Sequence, residues 1–352
     1  MKNILAGMLT LLLSTPLWAN QSSFVNVGGY GGNSRIGRLI YNGEANGLAA
    51  LKLTRTDDGK CLFANENAII GNGEQTSSFM CDATDPTHHN LYWNGEFDAT
   101  NGAYSPENDV MFTADTVVNM FQEWYHIAPY TDADNVKKPF IFKLHESMAG
   151  TWLRNDGTIV LGDGDGDYYP FTTFTLTGYN IGLLFARQNG MDTDEWFAPQ
   201  AVAFSCMTAM AAEYYLTGKN TWQVAEDSVR TNDPDSLVQY MDMPSKNCHG
   251  RDPGDHCSID THAQDKYGVL GYHASGLFNR AFYLLATTKG WNTRKAYDVF
   301  VQAVRYHWRY RPGYLDAACS AVRSANELGY NLMDVRIAFS GVGIDTRDCS
   351  LT

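Results

Sequence analysis

Hydrophobic positions change their period near the middle of the chain. From Phe24 to about Val110, short runs such as Arg38-Leu-Ile-Tyr41 and Leu51-Lys-Leu-Thr54 are cut by Gly, Asn and Asp, the pattern of strands joined by turns. The run Asp115-Thr-Val-Val-Asn-Met-Phe-Gln-Glu-Trp-Tyr125 takes helical spacing behind Asp115 as a cap, and Phe140-Ile-Phe-Lys-Leu144 reads as a strand. A Gly- and Asp-rich loop follows at 162–167. From Thr175 onward the spacing is helical, with segments predicted near 175–188, 199–216, 275–289, 292–308, 314–327 and 331–340. Strands first and helices afterwards predict an α+β fold. We expect a β-rich lobe over 20–188, ending in the helix at 175–188, and a mainly α-helical lobe over 189–352, with a cleft between them.

One apolar stretch lies outside this pattern. Lys2 precedes an apolar run from Ile4 to Leu13, followed by Ser14, Thr15, Pro16, Leu17, Trp18 and Ala19. The run is too short to span a bilayer and leads into polar sequence, so it reads as a cleaved signal peptide over 1–19, with the mature chain starting at Asn20. A secreted, extracellular or periplasmic destination follows. No second segment has the length of a membrane helix.

Charge and cysteines refine the picture. The formal net charge of -13 gives a surface that repels nucleic acid and anionic membranes, while calcium and cationic partners stay open. Seven cysteines in an exported protein suggest three disulfides and one thiol. Spacing pairs Cys61 with Cys81, Cys248 with Cys257 and Cys319 with Cys349, leaving Cys206 inside an apolar run as a buried thiol.

Seven stretches, in order along the chain, resemble the thermolysin-like metallopeptidases of the vibriolysin and pseudolysin type. They are Gly31-Gly-Asn-Ser-Arg-Ile-Gly37, Asn101-Gly-Ala-Tyr-Ser-Pro-Glu-Asn-Asp109, Met120-Phe-Gln-Glu-Trp-Tyr125, Gly162-Asp-Gly164, Glu213-Tyr-Tyr-Leu-Thr-Gly-Lys-Asn220, Ser275-Gly-Leu-Phe-Asn-Arg-Ala-Phe-Tyr-Leu-Leu285 and Ala338-Phe-Ser-Gly-Val-Gly-Ile344. The resemblance implies a β-rich lobe, a helical lobe and a central helix at the floor of the cleft. It also places Cys61 with Cys81 and Cys319 with Cys349 where that subgroup forms disulfides. The family's inhibitory propeptide is expected to be missing after the signal.

Catalysis in that family uses H-E-x-x-H on the central helix, because histidines four apart grip one zinc while the Glu activates its water. This chain has no such motif. Counted back without gaps from Glu213, the resemblance places the motif at Gly178, Tyr179, Asn180, Ile181 and Gly182. The third ligand falls on Val202, the transition-state histidine on Tyr272 and its Asp partner on Leu270, with His273 one position away. The substrate-gripping edge strand falls near Trp152 and Leu153, and the cleft Arg near Val238 or Gln239. Zinc is therefore not expected. Gly178 and Gly182 share a helical face, and a neighbour should fill it. Tyr272, Tyr179 and Val202 are the candidates, with Tyr272 expected in contact with Gly178 or Gly182.

Other constellations carry two readings each. His145-Glu-Ser-Met-Ala149 holds half a zinc motif and reads as an ordinary strand histidine. Ser275 near His273 lacks a nucleophile elbow. Asp163, Asp165 and Asp167 alternate as in calcium loops, but Phe174 stands at the twelfth position, where such a loop carries an acid. In the family's calcium cluster Glu213 and Glu226 remain, while Phe174 and Thr221 occupy acid positions. A solvated turn is the preferred reading and calcium the alternative. Cys248-His-Gly-Arg-Asp-Pro-Gly-Asp-His-Cys257 reads as a disulfide-closed loop before a zinc site, and His88 with His89 as a surface loop. Together these features describe a secreted, non-catalytic relative that binds a protein, peptide or matrix ligand. The alternatives are a secreted metallopeptidase with a non-standard metal site and a purely structural extracellular component.

Overall fold

Alternation along each strand decides which face is buried. In the computed structural model, which describes residues 23–45, 47–71, 75–81, 101–194, 198–231, 237–248, 257–265, 269 and 271–351, the N-terminal half holds two four-stranded sheets. The first has the order β1-β4-β5-β7, built from β1 (Ser23–Val27), β4 (Leu51–Arg55), β5 (Lys60–Leu62) and β7 (Ser78–Met80). In β4 the alternating Leu51 and Leu53 are buried. Between β1 and β4 runs a hairpin of β2 (Gly29–Asn33) and β3 (Gly37–Tyr41), turning through Gly37 at a φ of 80° that disfavours a side chain.

The second sheet has the order β6-β8-β10-β9, from β6 (Ala68–Ile70), β8 (Phe140–Glu146), β9 (Thr151–Leu153) and β10 (Ile159–Gly162). Phe140, Phe142 and Leu144 point to the core from β8, and β10 is buried throughout. β9 runs antiparallel to β10 and forms the sheet's edge. The signal segment expected at 1–19, the His88-His89 run and Leu270 lie outside the described residues.

Between the sheets lies α1 (Pro106–Tyr125). It starts earlier than the sequence period suggests. Ser105 caps it by accepting from the Asn108 amide at 3.3 Å, and Pro106 takes the first turn, where a missing N–H costs nothing. Asp115 is not a cap. It stands mid-helix and accepts from Asn65 and Asn67. Residues 106–110, expected among the strands, therefore belong to the helix.

The remaining helices fall close to the predicted segments: α2 (Phe174–Gln188), α3 (Pro199–Thr217), α4 (Gly271–Ala286), α5 (Thr293–Tyr306), α6 (Tyr314–Glu327) and α7 (Leu332–Gly341). α3 is buried along its first thirteen positions after Pro199, as expected of a helix apolar on all sides at the centre of a domain. One continuous apolar core runs from Val27 to Ile344 and joins strands and helices. The structure pairs Cys61 with Cys81, Cys248 with Cys257 and Cys319 with Cys349, and leaves Cys206 as a buried thiol.

Candidate functional site

A cavity of about 530 Å³ opens between the edge strand β9, helix α2 and the 191–194 loop. Its walls include Trp152 and Leu153 from β9, Asn180, Leu183 and Arg187 from α2, and Tyr310 beyond α5. Asn180, Leu183 and Arg187 are spaced three and four apart, so they share one face of α2. Asn180 donates to Leu176 O at 2.8 Å, and its Oδ1 is buried with no partner among the described residues.

Arg187 braces this wall. Its guanidinium donates to Leu153 O at 3.1 Å, to Arg154 O, and through Nε to Thr193 Oγ1 at 3.0 Å. Because Leu153 O is bonded to a side chain from α2, that carbonyl of the sheet edge is already satisfied.

Gly178 and Gly182 look the other way. A Cβ built on Gly182 would stand 2.6 Å from Thr208 Oγ1 and 2.9 Å from Ser205 Cα, and one on Gly178 would stand 3.3 Å from Ala209 Cα. The space at these glycines is filled by the backbone and small side chains of α3. This corrects the expected contact with Tyr272, whose hydroxyl instead donates to Leu237 O at 2.7 Å. Small residues let two helices approach closely, which is what the glycines do here. Tyr179 and Val202 are buried in the core.

Residues 202–344 match the family described as thermolysin metallopeptidase, alpha-helical domain. A zinc metalloproteinase of Legionella pneumophila is 31% identical over 337 residues, covering 91% of this chain and 60% of the relative. A neutral protease of Vibrio proteolyticus is 31% identical over 333 residues, covering 92% of this chain and 50% of the relative. The chain is related to the thermolysin-like family along most of its length. A solved structure, the precursor of protealysin, a metalloproteinase from Serratia proteamaculans, superposes with a TM-score of 0.55 at 19% identity over 68% of this chain and 78% of that one, which supports the fold. This thermolysin-like chain spans roughly half to three-fifths of the length of the curated relatives it matches.

A thermolysin-like fold implies a zinc ion in its cleft, and the residues here do not fit one. Helix α2 contains no His, Cys, Asp or Glu, and α3 offers only the buried Cys206 and Glu213 near its far end. Zinc requires such donors, at least three of them in a catalytic site. Among the described residues, no three His, Cys, Asp or Glu side chains converge so as to hold a metal ion.

The acids considered for calcium are engaged separately. Asp163 bonds His145 Nδ1 at 2.9 Å, and Asp165 accepts from the Asp167 and Tyr168 amides at 2.8 and 3.1 Å in a local turn. Glu213 accepts from the Thr221 amide at 2.9 Å, and burial raises its pKa. Glu226 pairs with Arg35. Its neighbour Asp227, raised by desolvation, accepts from Thr173 and Thr175 hydroxyls at 2.9 and 2.8 Å.

Sequence reasoning missed one cluster. His145 in β8 sits between Asp163 and the fully buried Glu107 of α1, with Nε2 2.9 Å from Glu107 Oε1. Burial pushes Glu107 up to about 8, with its own backbone amide opposing and Asp163 and Asp109 adding to the rise. A protonated Glu107 can donate to Nε2 while Nδ1–H donates to Asp163, which ties α1, β8 and the Gly-Asp loop together. The half motif at His145 is thus a three-element brace, and Glu146 turns away to pair with Lys143. Ser275 Oγ donates to Tyr272 O at 2.6 Å, while His273 Nδ1 lies 3.3 Å from Ser258 Oγ. The histidines of the Cys248–Cys257 loop lie outside the described residues.

Proposed function

We propose that this chain is a secreted, non-catalytic member of the thermolysin-like family whose cleft binds a ligand without cutting it. The observation that carries the reading is the absence of any His, Cys, Asp or Glu from α2, the helix that walls the cavity. Hydrolysis in the family depends on zinc-bound water of lowered pKa, and that helix supplies neither ligand nor base.

This conclusion does not depend on register. The ungapped count puts Gly178, Tyr179 and Gly182 at the family positions, but those glycines face α3. Counting one residue later puts Tyr179, Asn180 and Leu183 there, and of these Asn180 and Leu183 line the cavity. Neither set contains a metal ligand. The curated relatives are named as metalloproteinases and proteases, which keeps a metallopeptidase as the competing reading. Elemental analysis of the purified chain after dialysis against zinc decides between them. Well under one zinc per chain is expected, and one tightly held zinc per chain would favour the peptidase.

A further inference from the structure

We propose that the cavity between β9 and the 191–194 loop binds a neutral oligosaccharide, stacked against the rings of Trp152 and Tyr310. The inference deepens the non-catalytic reading and rests on it. Trp152, at 64% exposure, is the most exposed large apolar side chain among the described residues, and Tyr310, at 62%, is close behind. Single exposed aromatics are ordinary; two lining one cavity of 530 Å³, a size typical of ligand pockets, are not.

Both residues stand on backbone that is held in place. Trp152 stands on a strand, paired with Val160 of β10. Tyr310 O accepts from the Asp192 amide at 2.8 Å, Arg311 lies 5.2 Å over the Tyr310 ring centroid and also pairs with Asp192, and Pro312 O accepts from Gln200 at 2.8 Å. Side chains carried on backbone that is fixed before binding leave only their own rotamers to be ordered when a ligand covers them.

The rest of the wall suits hydroxyl groups. Asn155, Asp192, Thr193 and Asp194 line the cavity, and the Oδ1 of Asn180 is a buried acceptor that needs a donor. A pyranose presents a C–H face to an aromatic ring and hydroxyls at its edge, the combination this wall matches. An extended peptide would add to the outward edge of β9, where Arg187 already competes for one of the backbone acceptors, Leu153 O. An anionic sugar would need an uncommitted cation, but Arg187 is bonded to two carbonyls and Thr193, and Arg311 to Asp192.

The test is calorimetric titration of the purified chain with short neutral chains of glucose and of N-acetylglucosamine, and with an extended alanine peptide. At least one saccharide should bind saturably. Affinity should fall about tenfold or more in Trp152→Ala and in Tyr310→Ala, stay within about threefold in Trp152→Phe, and be unchanged in Tyr306→Ala, which lies outside the cavity. Near-UV circular dichroism checks that each variant is folded. Absence of saccharide binding at millimolar concentration, or equal affinity across all variants, would overturn the proposal. Peptide binding lost in the same two alanine variants would overturn the carbohydrate assignment and leave the cleft as a binding site. Chelator-sensitive cleavage of the peptide would overturn the non-catalytic reading itself.

Discussion

Gly182 on α2 lies so close to Thr208 on α3 that a Cβ at residue 182 would fall 2.7 Å from the Thr208 Cβ. The glycine keeps two buried helices in contact, and Thr208 cannot withdraw freely because its hydroxyl bonds Phe204 O and the Tyr297 hydroxyl. Gly182→Ala should therefore lose about 1–3 kcal/mol from crowding, only partly offset by about 1 kcal/mol of helix propensity. Gly178→Ala, with its nearest neighbour at 3.3 Å, should be close to neutral. Urea unfolding of both variants measures the difference, and equal stabilities would contradict the packing described. By the same crowding, Gly178→His alone should destabilise the protein and create no zinc site.

Stability should fall as pH rises from about 4.5 to about 8. Burial raises the folded-state pKa of Glu107 to about 8 and that of Asp109 to about 7, above the unfolded values, although the Tyr41 hydroxyl and Gly32 amide oppose the rise at Asp109. For carboxyls raised in this way, the stabilising contribution is complete below the unfolded pKa and is lost as pH climbs through the folded one, because the unfolded chain ionises first. Thermal midpoints should drop across that window, and Glu107→Gln should flatten the slope. A midpoint independent of pH, or one that rises over this range, would contradict the assignment.

Removing the Arg187 head group should loosen the edge strand. Arg187→Met keeps the apolar stem but deletes the bonds to Leu153 O, Arg154 O and Thr193, so a loss of about 1–3 kcal/mol is expected, with faster amide exchange in the β9–β10 hairpin. Arg187→Lys should recover only part of it, since one ammonium cannot reproduce the fork. Unchanged exchange in the hairpin would show that the brace does not hold the strand.

Thiol chemistry should find one slow group. Cys206 is fully buried and the other six cysteines are joined, so a disulfide reagent should label nothing in the native chain within minutes and one thiol after denaturation without reductant. Three thiols on denaturation, with Cys248 and Cys257 among them, would indicate a metal loop in place of that disulfide.

Much of the helical half was legible in the sequence, because a 3.6-residue period is written along one segment and needs no partner to be read. α6 begins and ends where its spacing predicts, and α2, α3, α5 and α7 start within a residue of prediction. α1 was placed late because its first two turns are buried on nearly every side and show no period. Ser105 and Pro106 are the signals that mark its true start. The glycine pair could be read as a bare helical face, but which helix covers it depends on how α2 and α3 cross. Asp163 and His145 each stood out; the second partner of His145, Glu107, is contributed by a distant helix and leaves no local signature. The brace from Arg187 to Leu153 is likewise set by tertiary placement.

The central claim is that the cleft has no catalytic metal chemistry, and its most direct measurement is proteolysis by the purified chain. Unfolded casein is incubated with the protein after zinc dialysis, with and without a chelator, and new amino termini are counted. The account predicts release no faster than in a protein-free control, unchanged by chelator. Cleavage that zinc supports and the chelator abolishes would contradict it, whatever residues then prove to hold the metal.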